Sequence, residues 1–222
     1  LAKECKSFIK NYLSHNTPNL NFAPTREQAG ERAFTLQLLD LCCFHENGVA
    51  TVKDFHKTAT NMTDEINSLI LLIKHDKISN ELEKFFKKWE SNDNVIDKWF
   101  AVQAAHTIPS KSVQVVSSLT KHHLFDFKNP NRFRSVIETF ASKNLCGFHQ
   151  NDGQGYDLVT TWLIRLDEIN PQTTARVCAV FDNWKLFDSA RQKKIKQNLL
   201  KLSNMRRISE NTYEIVNSLL NK

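Results

Sequence analysis

Apolar residues recur at intervals of three and four along almost the whole of this chain, a periodicity that leaves room for little besides packed helices. Ile66, Leu69, Ile70 and Ile73 mark one face, and Leu82, Phe85, Phe86 and Trp89 mark the next. Val95, Trp99 and Val102 continue the pattern, followed by Val113, Val116 and Leu119, then Val136, Ile137 and Phe140. Trp162, Leu163 and Leu166, Val177, Val180 and Phe181, and Ile195, Leu199 and Leu202 carry it on to a last face of Ile215, Val216, Leu219 and Leu220. The interruptions are short: Asn16-Thr17-Pro18, Glu46-Asn47-Gly48, Ser91-Asn92-Asp93, Ile108-Pro109-Ser110, Lys128-Asn129-Pro130 and Ile169-Asn170-Pro171. The spacing predicts roughly a dozen helices of about 10–17 residues. Short connections favour antiparallel pairs, and a row of pairs builds an all-α superhelix of the α-solenoid kind. No repeat emerges at a period of about 34 or 40 residues, so neither the tetratricopeptide nor the HEAT pattern has a signature here.

Bulk properties agree with one helical domain over residues 1–222. A chain of 222 residues buries roughly 70–75% of its unfolded surface, enough for a substantial core. Hydrophobic residues make up 41%, against five Gly and five Pro, which excludes disorder and a turn-rich β fold. Leu69 to Ile73, the longest apolar run, ends at Lys74 and His75, far short of the ~20 residues that span a bilayer, so no membrane partner is expected. No apolar leader opens the chain. A start at Leu1 rather than Met is expected of a piece of a longer protein.

Cys5, Cys42, Cys43, Cys146 and Cys178 form no metal-ligand spacing, and an odd count leaves one outside any disulfide scheme. Adjacent Cys42 and Cys43 read as small core hydrophobes, consistent with a reducing, cytoplasmic setting. The net charge of +6 and pI of about 9.0 raise the question of nucleic acid. The best basic run is Arg191-Gln192-Lys193-Lys194-Ile195-Lys196, with Arg206-Arg207. Its cations alternate with core residues on an amphipathic helix, the mark of a solvated face, and no nucleic-acid partner is expected. His122-His123 is expected to end a helix, where a cation suits the negative terminus, and Asp97 to open one, where its charge suits the positive end. Asn61-Met62-Thr63 matches the glycosylation sequon, yet Thr63 before Asp64-Glu65 reads better as a helix cap. Fifteen Phe and four Trp at helical spacing, Trp99-Phe100 among them, are core residues.

Two helix starts are unusual. Asn129-Pro130-Asn131-Arg132-Phe133-Arg134-Ser135 and Asn170-Pro171-Gln172 with Arg176 each place Asn at the cap and Pro at the first helical position. Arg132, Arg134 and Arg176 then put positive charge at or just past a first turn, opposing the macrodipole by roughly 0.3–1 kcal/mol. Such a start suits reception of a carboxylate. A solvated or salt-bridged Arg is the structural alternative. The loop Phe148 to Tyr156 carries Asp152-Gly153-Gln154-Gly155, a turn whose glycines permit close backbone approach. Without a Gly-x-x-x-x-Gly-Lys pattern or a preceding strand it is no nucleotide site. It is either a tight interhelical turn with Tyr156 packed beneath it, or a loop that meets the Asn129 and Asn170 helix starts on one rim.

These segments also carry a resemblance. Asn129 to Ser135, Phe148 to Tyr156 and Asn170 to Arg176 resemble the C-terminal helical domain of bacterial-type aminopeptidase N, a family of zinc-dependent exopeptidases also called alanyl aminopeptidases. Arg32-Ala33-Phe34, Asn61-Met62-Thr63-Asp64, Asp97-Lys98-Trp99-Phe100 and Asp188-Ser189-Ala190-Arg191-Gln192 fit in the same order. The likeness runs from about residue 26 to the end, looser over the first 60 residues, and the family's domain extends further toward its N-terminus. The resemblance implies a truncated C-terminal domain of a larger enzyme. The family's His-Glu-x-x-His zinc helix and Gly-x-Met-Glu-Asn segment are missing: His45-Glu46 is followed by Asn47, Gly48 and Val49, and Met62 and Met205 lie in neither pattern. The implied cofactor, zinc, therefore belongs to the parent enzyme and not to this chain, which should be inactive alone.

In the family, this domain closes a chamber over the catalytic site and contacts peptide downstream of the scissile bond. The implied partners are the catalytic domain of the same polypeptide and peptide substrates. Gln172 and Arg176 match the positions that line the downstream pocket. Arg134 and Arg132 match positions that line the chamber or anchor the interdomain contact, and Phe133 stands where the family has an aliphatic residue. A stand-alone α-helical interaction scaffold is the alternative.

Overall fold

The computed structural model describes residues 4–15 and 22–221; the Asn16-Thr17-Pro18 turn lies outside them. Among the described residues every regular element is helical, as the periodicity requires. The helices gather into two compact units, Leu1–Phe85 and Phe86–Lys222.

In the first unit, α1 (Lys6–His15), α2 (Arg26–Cys42), α3 (Gly48–Thr58) and α4 (Met62–Lys74) pack each on its neighbour. Leu39, Val52, Leu71 and Leu72 form one core cluster and Ile9, Leu38 and Cys42 another. The cap of α4 is Asn61, not Thr63. Its Oδ1 accepts from the Asp64 amide at 3.0 Å, and its Nδ2 donates to the Asp64 carboxyl at 2.8 Å, which ties up the sequon nitrogen at the helix start. Asp40 on α2 accepts from Lys74 and His75 at the end of α4. Lys53 on α3 reaches Glu81 at 3.3 Å at the start of α5 (Glu81–Trp89).

The second unit holds α6 (Asp93–His106), α7 (Pro109–Leu119), α8 (Pro130–Phe133), α9 (Thr139–Lys143), α10 (Leu145–Phe148), α11 (Gln154–Asp167), α12 (Pro171–Cys178), α13 (Ser189–Ser203) and α14 (Glu210–Asn221). A π-helical turn, Arg134–Glu138, joins α8 to α9 in one continuous rod that packs on α6. Helix α12 packs instead on α11 and α14.

Long-range side-chain caps fasten these helices. Asn144 donates to the carbonyls of Thr107 and Ala104 at the end of α6, and accepts from the Gly147 amide. Asp167, fully buried at the end of α11, accepts from the Ser209 amide, the Ser209 hydroxyl and the Thr212 hydroxyl at 2.5–2.8 Å. It thereby supplies the N-terminus of α14 with the negative end that helix starts favour. At the other end of α14, the Trp184 indole donates to the Leu219 carbonyl at 2.9 Å.

Two expectations about helix ends need correction. Helix α6 starts at Asp93 under the cap of Asn92, whose side chain accepts from the Val95 amide, so Asp97 lies a turn inside. Helix α7 ends at Leu119, and His122 lies beyond it against the rings of Phe86, Trp99 and Phe100. Burial, with His123 and Arg132 adding, lowers the His122 pKa, the reverse of a last-turn cation.

Candidate functional site

Both Asn-Pro helix starts have the expected local geometry. The Asn129 Oδ1 accepts from the amides of Asn131 and Arg132 at 3.0 and 3.3 Å, and the Asn170 Oδ1 from the Thr173 amide at 2.9 Å. Pro130 and Pro171 occupy first-turn positions.

The arginines then diverge. Arg132 is 4% exposed. Its Nε donates to Asp97 at 2.5 Å, one Nη to Asp93 at 3.2 Å and the other to the Leu124 carbonyl, while the guanidinium lies 5.2 Å from the Phe100 ring centre. Asp97, the less exposed of these two carboxylates, thus offsets most of the charge that opposes the macrodipole. Arg134, half-buried, donates to the Pro130 carbonyl at 3.2 Å and the Asn131 side chain at 2.6 Å. It lines an open groove of about 670 Å³ between α6 and the π-interrupted rod, with Lys98, Glu138 and Lys143.

Gln172 and Arg176 lie on α12, separate from that groove. Four residues apart, they share a helix face, and both are exposed while Thr174, Val177 and Cys178 are buried. Neither has a side-chain hydrogen bond or ion pair among the described residues. A Gln amide donates to a carbonyl and a guanidinium takes a carboxylate in bidentate fashion, so this face can receive a peptide end.

The 148–156 loop is a structural hub. Tyr156 is fully buried beneath it, edge-on to Phe148 with ring centres 5.2 Å apart. Its hydroxyl is 3.0 Å from the His149 Nδ1, and the His149 ring stacks on Phe187 at 4.1 Å. Gly153 has φ +77°, and a Cβ on Gly155 would stand 2.5 Å from the Phe148 carbonyl oxygen, so backbone approach explains the glycines. Helix α13 holds the loop from outside. Arg191 donates to the His149 carbonyl at 2.7 Å, and Lys194 donates to the carbonyls of Asn151 and Asp152 at 2.6 and 2.8 Å. Two cations of the basic run are therefore committed to internal contacts.

Burial, with the Arg191 guanidinium adding, pushes the His149 imidazole down to about 4. An unfolded His titrates near about 6.5, so between pH 6.5 and 4 the unfolded chain binds a proton that the folded one refuses. Stability from this group is complete above about 6.5 and lost as pH falls toward 4. The loss is on the order of 1–3 kcal/mol, discounted for partial exposure. Urea midpoints at pH 4.5 and 7 should differ less for His149→Phe than for the native protein; identical slopes would refute the buried neutral imidazole. His122 adds a loss of the same sign that the variant leaves in place. Glu81, pushed down to about 2 by hydrogen bonds that outweigh its burial, acts below this window.

Among the described residues no three His, Cys, Asp or Glu side chains gather as a metal site, and His45-Glu46 stands without a second His.

Residues 1–221 match the model of a family described as a domain of unknown function (DUF3458_C) with ARM repeats. The chain belongs to this family. The DUF3458_C domain is 34% identical over 223 residues to aminopeptidase N of Haemophilus influenzae, covering 99% of this chain and 25% of that protein. It is 33% identical over 200 residues to aminopeptidase N of Escherichia coli, covering 87% and 23%. Its fold superposes on a crystal structure of Legionella pneumophila aminopeptidase A in complex with aspartic acid with a TM-score of 0.87 at 25% identity, covering 100% of this chain and 27% of that one. The DUF3458_C domain thus spans about a quarter of these relatives, in agreement with the resemblance to the helical domain of aminopeptidase N. No described helix is long and apolar enough to cross a membrane.

Proposed function

We propose that this DUF3458_C domain is the noncatalytic C-terminal part of a zinc-dependent aminopeptidase N that removes N-terminal amino acids from peptides in the cytoplasm. In this reading its partner is the catalytic domain of the same polypeptide, which holds the zinc. The helical domain closes the chamber and restricts entry to unfolded peptides, while Gln172 and Arg176 hold the downstream part of the substrate. Arg134 lines the chamber wall, and Arg132 supports that wall from within. The observation that carries the reading is the exposed, unpartnered Gln172–Arg176 face on a helix otherwise anchored in the core. The five free cysteines favour a reducing compartment.

The reading frame upstream of the Leu1 codon provides a direct test. A continuous frame containing His-Glu-x-x-His and Gly-x-Met-Glu-Asn is expected. A start codon immediately before Leu1 would overturn the reading in favour of a stand-alone helical scaffold.

A further inference from the structure

The Arg134 groove gathers more positive charge than the one chamber-lining arginine that the family likeness implies. It is formed by α6 on one side and the Pro130–Lys143 rod on the other. Lys98 contributes from the first wall, Arg134 and Lys143 from the second. Lys98 and Lys143 are exposed, and neither has an ion pair among the described residues. Two carboxylates share the groove. Asp97 is already matched by the buried Arg132 guanidinium at 2.5 Å, which leaves Glu138 against three cations. Cations gathered along one groove raise a local positive potential, and a guanidinium pre-set by neighbouring acceptors loses little entropy on taking an anion. Arg134 is pre-set in this way by Pro130 and Asn131.

The backbone supplies a second, independent sign. The groove wall at Arg134, Ser135 and Glu138 is the π-helical turn itself. Such turns cost regular helix hydrogen bonding and concentrate at functional sites. Here the Arg134 carbonyl accepts from the Thr139 amide across the wider turn and, at 3.0 Å, from the Thr139 hydroxyl as well.

We infer that this groove is an anion-recognition subsite for a carboxylate-bearing peptide segment, an acidic side chain or a free C-terminus, with Lys98, Arg134 and Lys143 as its binding cations. The proposal rests on the aminopeptidase reading only in making the carboxylate part of a peptide. It concerns residues other than Gln172 and Arg176, so each idea can fail without the other.

Isothermal titration of the 222-residue chain with Ala-Ala-Glu-Glu, with the uncharged Ala-Ala-Gln-Gln amide and with inorganic phosphate tests it. The Glu peptide should bind at least tenfold more tightly than the Gln amide and more tightly than phosphate, with affinity falling as salt rises. Lys98→Gln combined with Lys143→Gln removes no internal bond and should weaken the Glu peptide about tenfold. Arg134→Gln should do at least as much, and Lys121→Gln, outside the groove, should do nothing. Equal binding of the two peptides would overturn the proposal, as would full affinity in the Lys98→Gln/Lys143→Gln variant. Phosphate binding tighter than the Glu peptide would reassign the groove to phosphate ligands and overturn the peptide assignment.

Discussion

Replacing Arg132 by Ala should lower the stability of the second unit by about 3–5 kcal/mol, the usual effect of breaking a buried ion pair from one side. The guanidinium has three acceptors, Asp97, Asp93 and the Leu124 carbonyl. Removing it strands the Asp97 carboxylate, which is only 21% exposed, and leaves the Leu124 carbonyl without that donor. Asp93 is almost fully solvated and contributes little. Arg132→Lys should recover only part of the loss, because a point-like ammonium cannot serve three divergent acceptors while covering Phe100. Converting Asp97 to Leu in the Arg132→Met background should restore stability, since an apolar pair of similar volume avoids the desolvation cost. Urea unfolding measures each term. A loss below about 1 kcal/mol for Arg132→Ala would place the pair among ordinary surface bridges and refute the buried-tie account. A loss of the predicted size is a large share of the ~5–15 kcal/mol that holds a domain together.

The two Asn-Pro helix starts were the legible part, because cap chemistry is local. Asn129 and Asn170 each accept from an amide two or three residues on, and no distant group is needed to recognise that. The features that depend on other segments were not legible. Asp97 looked like a helix opener because the sequence cannot reveal that Arg132 reaches it from another helix. His122 looked like a last-turn cation, yet the aromatic rings around it decide its charge state. Ile215, on the predicted apolar face of the last helix, is 39% exposed. The π turn left no trace, since nothing in the identities of Arg134 to Glu138 marks a one-residue widening. The ARM-repeat relation was equally hidden. Repeats of this kind keep their packing geometry while the residues that fill it drift, so a period of about 40 residues need not survive in the letters. The Lys98–Lys143 juxtaposition is likewise a product of tertiary structure.

The segments that carried the family resemblance turn out to be joined to one another. Asp97 of one segment binds Arg132 of another, and Arg191 of a third binds the His149 carbonyl of a fourth. Asn61 and Asp188 are helix caps. Much of what makes the family recognisable is therefore the framework that positions its helices. Gln172 and Arg176 differ in kind: they are exposed and without side-chain partners among the described residues, so framework chemistry gives no reason for them. That contrast supports the proposed substrate-facing role of α12.

Arg176→Ala in the complete enzyme tests that assignment most directly. A charge-assisted hydrogen bond contributes on the order of 1.5–3 kcal/mol, and about 1.4 kcal/mol is tenfold. KM for alanyl tripeptides should therefore rise roughly 10- to 100-fold with kcat little changed, the signature of lost ground-state binding. Alanine p-nitroanilide, which has no downstream residue, should keep its KM. An equal change for both substrates, or none for either, would contradict the claim that this helix face holds the downstream end of a peptide.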